Sequence, residues 1–255
     1  MKTVLITGCS SGFGLAAARH FLARDWAVVA TMRTPREGVL PPSDRLRVIA
    51  LDVTNAESIR HAVESAGPID VLVNNAGFGV ASPAELTPLA ALREVFETNT
   101  FGTIAMTQAV LPQFRQRKAG VVVNVTSSVT LKPLPLIAAY RASKSAVNAF
   151  TESMALELAP FGVRAHLVLP GRSPETRFGE TARTRMHGMD HEAYADFVKA
   201  SFARMADPSS PVTRAQDVAE AIWRAAIDPS APLRIPAGAD AIAWAAETIG
   251  APISV

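Results

Sequence analysis

The stretch Thr3-Val4-Leu5-Ile6-Thr7-Gly8-Cys9-Ser10-Ser11-Gly12-Phe13-Gly14 decides the fold. A short β-branched run enters a turn with glycines spaced G-x-x-x-G-x-G, and an apolar-periodic segment, Leu15 to Ala23, follows at once. That order predicts strand, tight turn and helix. Glycine permits the turn and lets backbone N–H groups approach an anion, which a helix N-terminus then favours. The spacing differs from the commoner G-x-G-x-x-G, yet the flanking strand and helix make it far more specific than glycines alone. Gly8, Ser10, Ser11, Gly12, Phe13 and Gly14 are therefore candidate residues for holding a pyrophosphate.

Outward from this turn, short apolar runs alternate with helical segments. The runs are Thr3 to Thr7, Ala27 to Met32, Arg47 to Val53, Val71 to Asn74, Val121 to Thr126, Arg164 to Leu169 and Leu233 to Pro236. They are continuously apolar, as strands covered on both faces are. Intervening helices imply parallel pairing and right-handed crossovers. The expected fold is α/β, a Rossmann-like doubly wound sheet of about seven parallel strands with helices on both faces. Thr54-Asn55-Ala56-Glu57 and Thr213-Arg214-Ala215-Gln216 read as capping boxes, and Ser173-Pro174-Glu175 places proline in a first helical turn. Beyond Gly171 the pattern loosens, so one domain spanning 1–255 is expected, with a substrate flap at about 172–212.

Composition excludes several classes. With 49% hydrophobic and 19% charged residues the chain is globular, and 25 Lys+Arg nearly balance 23 Asp+Glu. Nucleic-acid binding through clustered cations is disfavoured. A single cysteine, Cys9, forms neither an internal disulfide nor a cysteine-rich zinc site, which fits a reducing compartment. No apolar run approaches the roughly 18 residues of a membrane helix, and the one beginning near Met1 is too short for a secretory leader. The expectation is a cytoplasmic protein with neither nucleic-acid nor membrane partners.

The second strand ends at Arg33, where a dinucleotide fold inspects the adenine ribose. An acid there binds the 2′-hydroxyl, whereas a cation favours a 2′-phosphate. Arg33 and Arg36 precede the first acid, Glu37, so NADP(H) is the preferred cofactor.

Tyr140-Arg141-Ala142-Ser143-Lys144 opens a helix running to about Ala159. Residues at i and i+4 share a face, so phenol and ammonium point into the same space. A tyrosine pKa near about 10 suits proton transfer poorly at neutral pH, and a neighbouring cation lowers it. Thirteen residues before Tyr140, Ser127 ends an apolar strand and can donate to a substrate oxygen gaining charge. Ser128 is the alternative.

On these motifs the chain resembles the short-chain dehydrogenase/reductases of the shorter, single-domain subgroup. The resemblance covers essentially its whole length. It is carried by Thr7-Gly8-x-x-x-Gly12-x-Gly14, Leu51-Asp52-Val53, Asn74-Asn75-Ala76-Gly77, Asn99, Ser127, Tyr140-x-x-x-Lys144 and Pro170-Gly171-x-x-x-Thr176. It implies that Tyr140 is the acid/base, Ser127 the substrate-oxygen partner, and Lys144 the group that binds the nicotinamide ribose and depresses the tyrosine pKa. Asn99 would hold a water in a relay reaching Lys144. Asp52 and Val53 would contact adenine; Asn74, Ala76 and Gly77 would border the cofactor; Pro170, Gly171 and Thr176 would lie at its nicotinamide end. NADP-using relatives often carry a cation in the glycine-rich turn. Ser11 stands there, which leaves NAD(H) open as cofactor. The resemblance also implies a homodimer or homotetramer built on helices near 100–118 and 140–160.

The implied activity is hydride transfer between NADP(H) and a small, largely apolar carbonyl or alcohol substrate. A non-catalytic NADP(H)-binding regulator on the same fold is the alternative, disfavoured because it would need only the binding half of these residues. A sugar-nucleotide epimerase or dehydratase shares the tyrosine-lysine pair but resembles longer chains. Arg172, Arg177, Arg183 and Arg185 open the flap and read either as a solvated face or as partners of an acidic substrate group or the cofactor phosphates. His187 and His191 lack a third ligand in the sequence, so no metal is expected.

Overall fold

A computed structural model of the protein describes residues 1–36, 38–205 and 209–248. Seven strands form one sheet: β1 (Thr3–Ile6), β2 (Ala27–Met32), β3 (Leu46–Ala50), β4 (Val71–Asn74), β5 (Gly120–Val125), β6 (Val163–Pro170) and β7 (Arg234–Ala237). Their order is β3-β2-β1-β4-β5-β6-β7, and every pairing is parallel. The helices are α1 (Gly12–Leu22), α2 (Ala56–Ala66), α3 (Leu89–Phe96), α4 (Gly102–Arg117), α5 (Ala138–Leu158), α6 (Phe178–Arg183), α7 (Ala195–Met205), α8 (Ala215–Ile227) and α9 (Ala239–Thr248).

The strand period of two divides the core. Val4, Ile6, Val28, Ala30 and Val123 face α1 and α8, where Phe21 and Ile222 are fully buried. Leu5, Val29, Leu72 and Val122 face the other way, against α2, α4 and α5 through Ile59, Met106 and Met154. Both faces are covered, which is why these strands read as unbroken apolar runs. From β1 the chain winds outward to β3 and then returns to β4 on the opposite side. The β1/β4 boundary is thus the point where winding reverses, and a crevice opens beyond the strand ends there.

Some local expectations are corrected. β3 ends at Ala50, not Val53; it is the edge strand, Val48 is exposed, and Leu51-Asp52-Val53 turns toward the crevice. The α2 N-cap is Asn55, whose side chain accepts from Ser58 N at 2.8 Å, so Thr54 is not the cap. At α8 the N-cap is Arg214, with Asp217 accepting from its N–H at 2.9 Å. Thr213 instead accepts from Gly171 N. Pro174 lies in a turn before α6, closed by Thr176 N donating to Ser173 O, and not in a helix. The expected flap contains α6, a short 3-10 turn at Glu192–Tyr194 and α7. It is zipped to the loop after β4 by a bridge between Ala81 and Met186, with His187 N donating to Ala81 O at 3.1 Å.

Candidate active site

The glycine-rich turn is wedged in place by the β4 edge. Thr7 Oγ1 accepts from the main-chain N–H groups of Asn75 and Ala76, each at 2.9 Å. Asn75 Nδ2 in turn donates to the carbonyls of Thr7 (2.9 Å) and Gly8 (3.1 Å). Space is tightest at Gly14, where a Cβ would collide with the Gly8 carbonyl and lie 2.5 Å from Asn75 Nδ2. Gly8 adds a second constraint, a φ of +75° that only glycine adopts without strain. The turn feeds α1, whose Ser11 N-cap makes no side-chain capping bond and whose first turn carries no acid. Its first residues, Gly12 and Phe13, lie at an opening where free helix N-terminal N–H groups favour an anion.

That opening is a cleft of about 390 Å³ at the ends of β1, β2, β4 and β5. Of the residues expected at the cofactor, Gly8, Ser10, Ser11, Gly12 and Phe13 line one end. Arg33, Asp52 and Val53 line the same region, and Ala76, Gly77 and Thr176 continue along it. Asp52 accepts from Thr54 N (2.9 Å) and Thr54 Oγ1 (2.7 Å), and these bonds, aided by the Arg33 charge, hold its carboxyl below the usual range. Arg36 reaches the turn from outside, donating to the Ser10 carbonyl at 3.4 Å. Thr126 Oγ1 is buried at the cleft without a protein partner.

The other end carries Tyr140 and Lys144 from the first turns of α5. Tyr140 is buried, and Ser127, the residue that follows Thr126 after β5, is the serine near enough to its hydroxyl to lower its pKa. That proximity favours Ser127 over Ser128 as its partner. Lys144 is buried one helical turn on, with Nζ donating to Val125 O at 3.0 Å. The expected depression of the tyrosine pKa is not found. Burial pushes Tyr140 up to about 12, against a smaller lowering by Ser127, and pushes Lys144 down to about 8. Desolvation disfavours both charged forms.

Asn99 lies in a single π-helical turn (Glu97–Phe101), a backbone feature often found at functional sites. Its side chain is committed: Nδ2 donates to Phe78 O (2.9 Å) and Ser143 Oγ (3.1 Å), while Oδ1 accepts from Phe78 N (3.0 Å). It thereby fixes Gly77-Phe78 beside Lys144; a Cβ on Gly77 would lie 3.3 Å from Nζ. Asn99 therefore positions the loop through its side chain.

Four residues expected at the cofactor do not line the cleft. Asn74, the last residue of β4, points into the helix layer, donating to Thr107 Oγ1 and Asn124 Oδ1 at 2.9 Å each. Its neighbour Asn75 faces the cleft instead. Pro170 ends β6, and Gly171 is pinned by its N–H to Thr213 Oγ1 (2.9 Å) and pressed against the Asp240 carboxylate. Gly14 is buried beneath the turn. Sequence reasoning missed Asn75, Phe78 and Glu94 as site residues, all of which line the cleft, as does Phe178 of the expected flap. The Phe178 ring lies 5.5 Å from that of Tyr140. Cys9, in the turn, is fully buried with its thiol pushed up to about 12, which removes it from nucleophilic chemistry. Among the described residues no helix is long and apolar enough to cross a membrane, and no group of three metal-ligating side chains gathers.

Sheet order, winding reversal and glycine-lined cleft define a Rossmann-like α/β protein with its site at the topological switch point. The chain belongs to the short-chain dehydrogenase/reductase family, matching the short chain dehydrogenase family over residues 2–186, and is an oxidoreductase of that family. It is 36% identical over 238 residues to the uncharacterized oxidoreductase YusZ of Bacillus subtilis, spanning 88% of this chain and 84% of that protein. It also resembles a short-chain dehydrogenase from Streptomyces avermitilis, with a TM-score of 0.83 and 33% identity over 96% of this chain and 91% of that one. A short chain dehydrogenase from Burkholderia cenocepacia, solved in complex with NADP, superimposes with a TM-score of 0.78 at 26% identity, over 98% and 95% of the two chains.

Proposed function

We propose that this oxidoreductase transfers a hydride between NADP(H) and a carbonyl or secondary-alcohol group, with Tyr140 as acid/base. The observation that carries the reading is buried Tyr140, with Ser127 beside its hydroxyl, in the cleft that also holds the glycine-rich turn and Lys144. The residues present fit a phosphorylated dinucleotide. The uncapped start of α1 suits a pyrophosphate, Arg33 and Arg36 suit a 2′-phosphate, and Asp52, Val53, Ala76, Gly77 and Thr176 line the space between. When bound, the nicotinamide supplies or accepts the hydride.

The chain's own groups manage the oxygen. In reduction, Tyr140 donates its hydroxyl proton to the carbonyl oxygen as that oxygen gains charge, and Ser127 donates a hydrogen bond to the same atom. A phenol pushed to about 12 is fully protonated at neutral pH, the form reduction requires. Lys144 provides positive charge beside the phenolate left behind. Phe78 and Phe178 give the substrate end an apolar lining, supporting a small, largely apolar substrate. Phe101, just before α4, and Leu156, on α5, are exposed on the segments expected to build the homodimer or homotetramer, which supports that expectation.

The test is a screen of NADPH oxidation against ketones, aldehydes, quinones and steroids, run alongside Tyr140→Phe. The variant should keep NADPH binding and lose turnover. A Tyr140→Phe protein that turns over at the wild-type rate would overturn the mechanism, and NADPH binding without turnover of any carbonyl would favour the regulatory alternative.

A further inference from the structure

Of the four arginines that open the flap, only Arg177 and Arg185 line the cleft, and each pairs with a carboxylate, Arg185 with one that also lines it. Arg185 is the more enclosed. Its guanidinium lies over the Phe78 ring, 4.4 Å from the centroid, and Nη2 donates to Glu94 Oε1 at 3.2 Å. Phe78 is buried in the same apolar cluster as Tyr140, so this cation stands on the wall of the catalytic end. Arg177 pairs with Glu180 at 3.4 Å, but both are well exposed.

We propose, resting on the oxidoreductase reading above, that Glu94 is a specificity-determining residue: by neutralising Arg185 it reserves the substrate end for uncharged carbonyl compounds and excludes carboxylates. An unpaired arginine on an aromatic wall is a ready carboxylate receptor, because its planar fork matches a carboxylate and its charge is weakly hydrated. With Glu94 in place, an incoming carboxylate must displace one anion from the guanidinium and then remain beside it. Like charges at such close range are the repulsive half of selectivity.

Arg185 does not depend on Glu94 for its place. The Phe78 ring supports the guanidinium from below. The adjoining backbone is held by the Ala81–Met186 bridge and by His187 N donating to Ala81 O. Removing the Glu94 charge therefore leaves a positioned cation, not a collapsed flap. Glu94 itself is half exposed on α3, so Glu94→Gln folds like the parent.

The experiment uses 4-oxo-4-phenylbutanoate and its methyl ester, which differ only in charge at the far end. Affinity for the full-length protein is measured by calorimetry with and without NADPH, and kcat/KM is measured with NADPH. Wild type should favour the ester. In Glu94→Gln the acid-to-ester affinity ratio should rise by about tenfold, equivalent to about 1.4 kcal/mol, and in turnover the gain should appear in KM. It should shrink at high salt and vanish in Glu94→Gln/Arg185→Gln. An unchanged ratio in Glu94→Gln, or a gain that survives loss of Arg185, would overturn the assignment. Because the calorimetric ratio needs no turnover, it stands apart from the hydride-transfer reading, which fails only if NADPH is not oxidised by the ester or any other carbonyl.

Discussion

Lys144 Nζ donates a hydrogen bond to the main-chain oxygen of Val125 at 3.0 Å, tying the second turn of α5 to the end of β5. The bond holds an ammonium in a buried site, and burial brings its pKa from 10.5 to about 8. Between those values the unfolded chain binds more protons than the folded one, so stability rises with pH across that window. Below about pH 8 the cost of burying the charge is present in full. Lys144→Met removes it. Urea unfolding should show the variant gaining on wild type by about 2–3 kcal/mol more at pH 7 than at pH 10.5. A difference between the two proteins that is flat with pH would show that the ammonium is solvated. Tyr140 acts in the opposite sense: its folded value is raised to about 12, so it costs stability as pH climbs from 10 to 12.

The glycine-rich turn makes a steric prediction that separates two of its glycines. A Cβ on Gly12 meets Thr176 at an ordinary 3.5 Å, so Gly12→Ala carries only the strain of a φ of +57°, about 1–2 kcal/mol. At Gly14 a Cβ collides with the Gly8 carbonyl and the Asn75 amide, both parts of the wedge that shapes the turn. Gly14→Ala should lower the melting temperature and weaken NADPH binding, read by cofactor fluorescence, by more than tenfold. Gly38→Ala, where a Cβ meets nothing within 4 Å, serves as a control for positive φ alone.

His166 on β6 predicts an acid limit to stability. Its Nε2 faces Arg164 Nη1 at 3.1 Å and its Nδ1 faces the Pro232 carbonyl at 2.9 Å. Neutral imidazole protonated at Nδ1 satisfies both contacts, whereas imidazolium sets a proton against the guanidinium. Burial, helped by Arg164, lowers the histidine pKa below 6.5. A lowered folded value means that the unfolded chain binds the extra proton, so stability falls as pH drops below 6.5. Wild type should lose about 1 kcal/mol more than His166→Gln between pH 7 and 5. Equal losses would place the acid-sensitive group elsewhere.

How far the sequence could be read follows from the reach of each interaction. β2 and β4 are legible to the residue because both faces of each are covered, so their apolar runs end where the strands end. β3 is not: at the sheet edge Arg47 and Val48 are exposed, and Leu51 and Val53 are apolar because they line the cleft and pack beneath it. The Asn74-Asn75 pair shows the same limit within the site. Which amide faces the cleft depends on Thr107 and Asn124, 33 and 50 residues away, which claim Asn74. Likewise Arg185 could be singled out as a cation, but its partners Glu94 and Phe78 are brought to it only by the fold.

Arg33 sits exposed at the end of β2, beside Asp52, whose carboxyl it helps to hold ionised. A carboxylate so close offsets part of the charge that Arg33 can offer a 2′-phosphate. Arg36, held against the Ser10 carbonyl, brings a second cation to the same rim. The two should share the preference for NADPH over NADH. Arg33→Ala and Arg36→Ala should each raise KM for NADPH several-fold while leaving KM for NADH nearly unchanged, and the double variant should lose the preference. Each exposed charge-assisted contact is expected to contribute about 1 kcal/mol, so the pair accounts for a discrimination of about 10- to 30-fold. Steady-state kinetics with both cofactors on one carbonyl substrate checks this, and added salt should erode the NADPH advantage first because both arginines face solvent. Equal use of NADH and NADPH by the wild-type protein would assign these two arginines to the solvated surface.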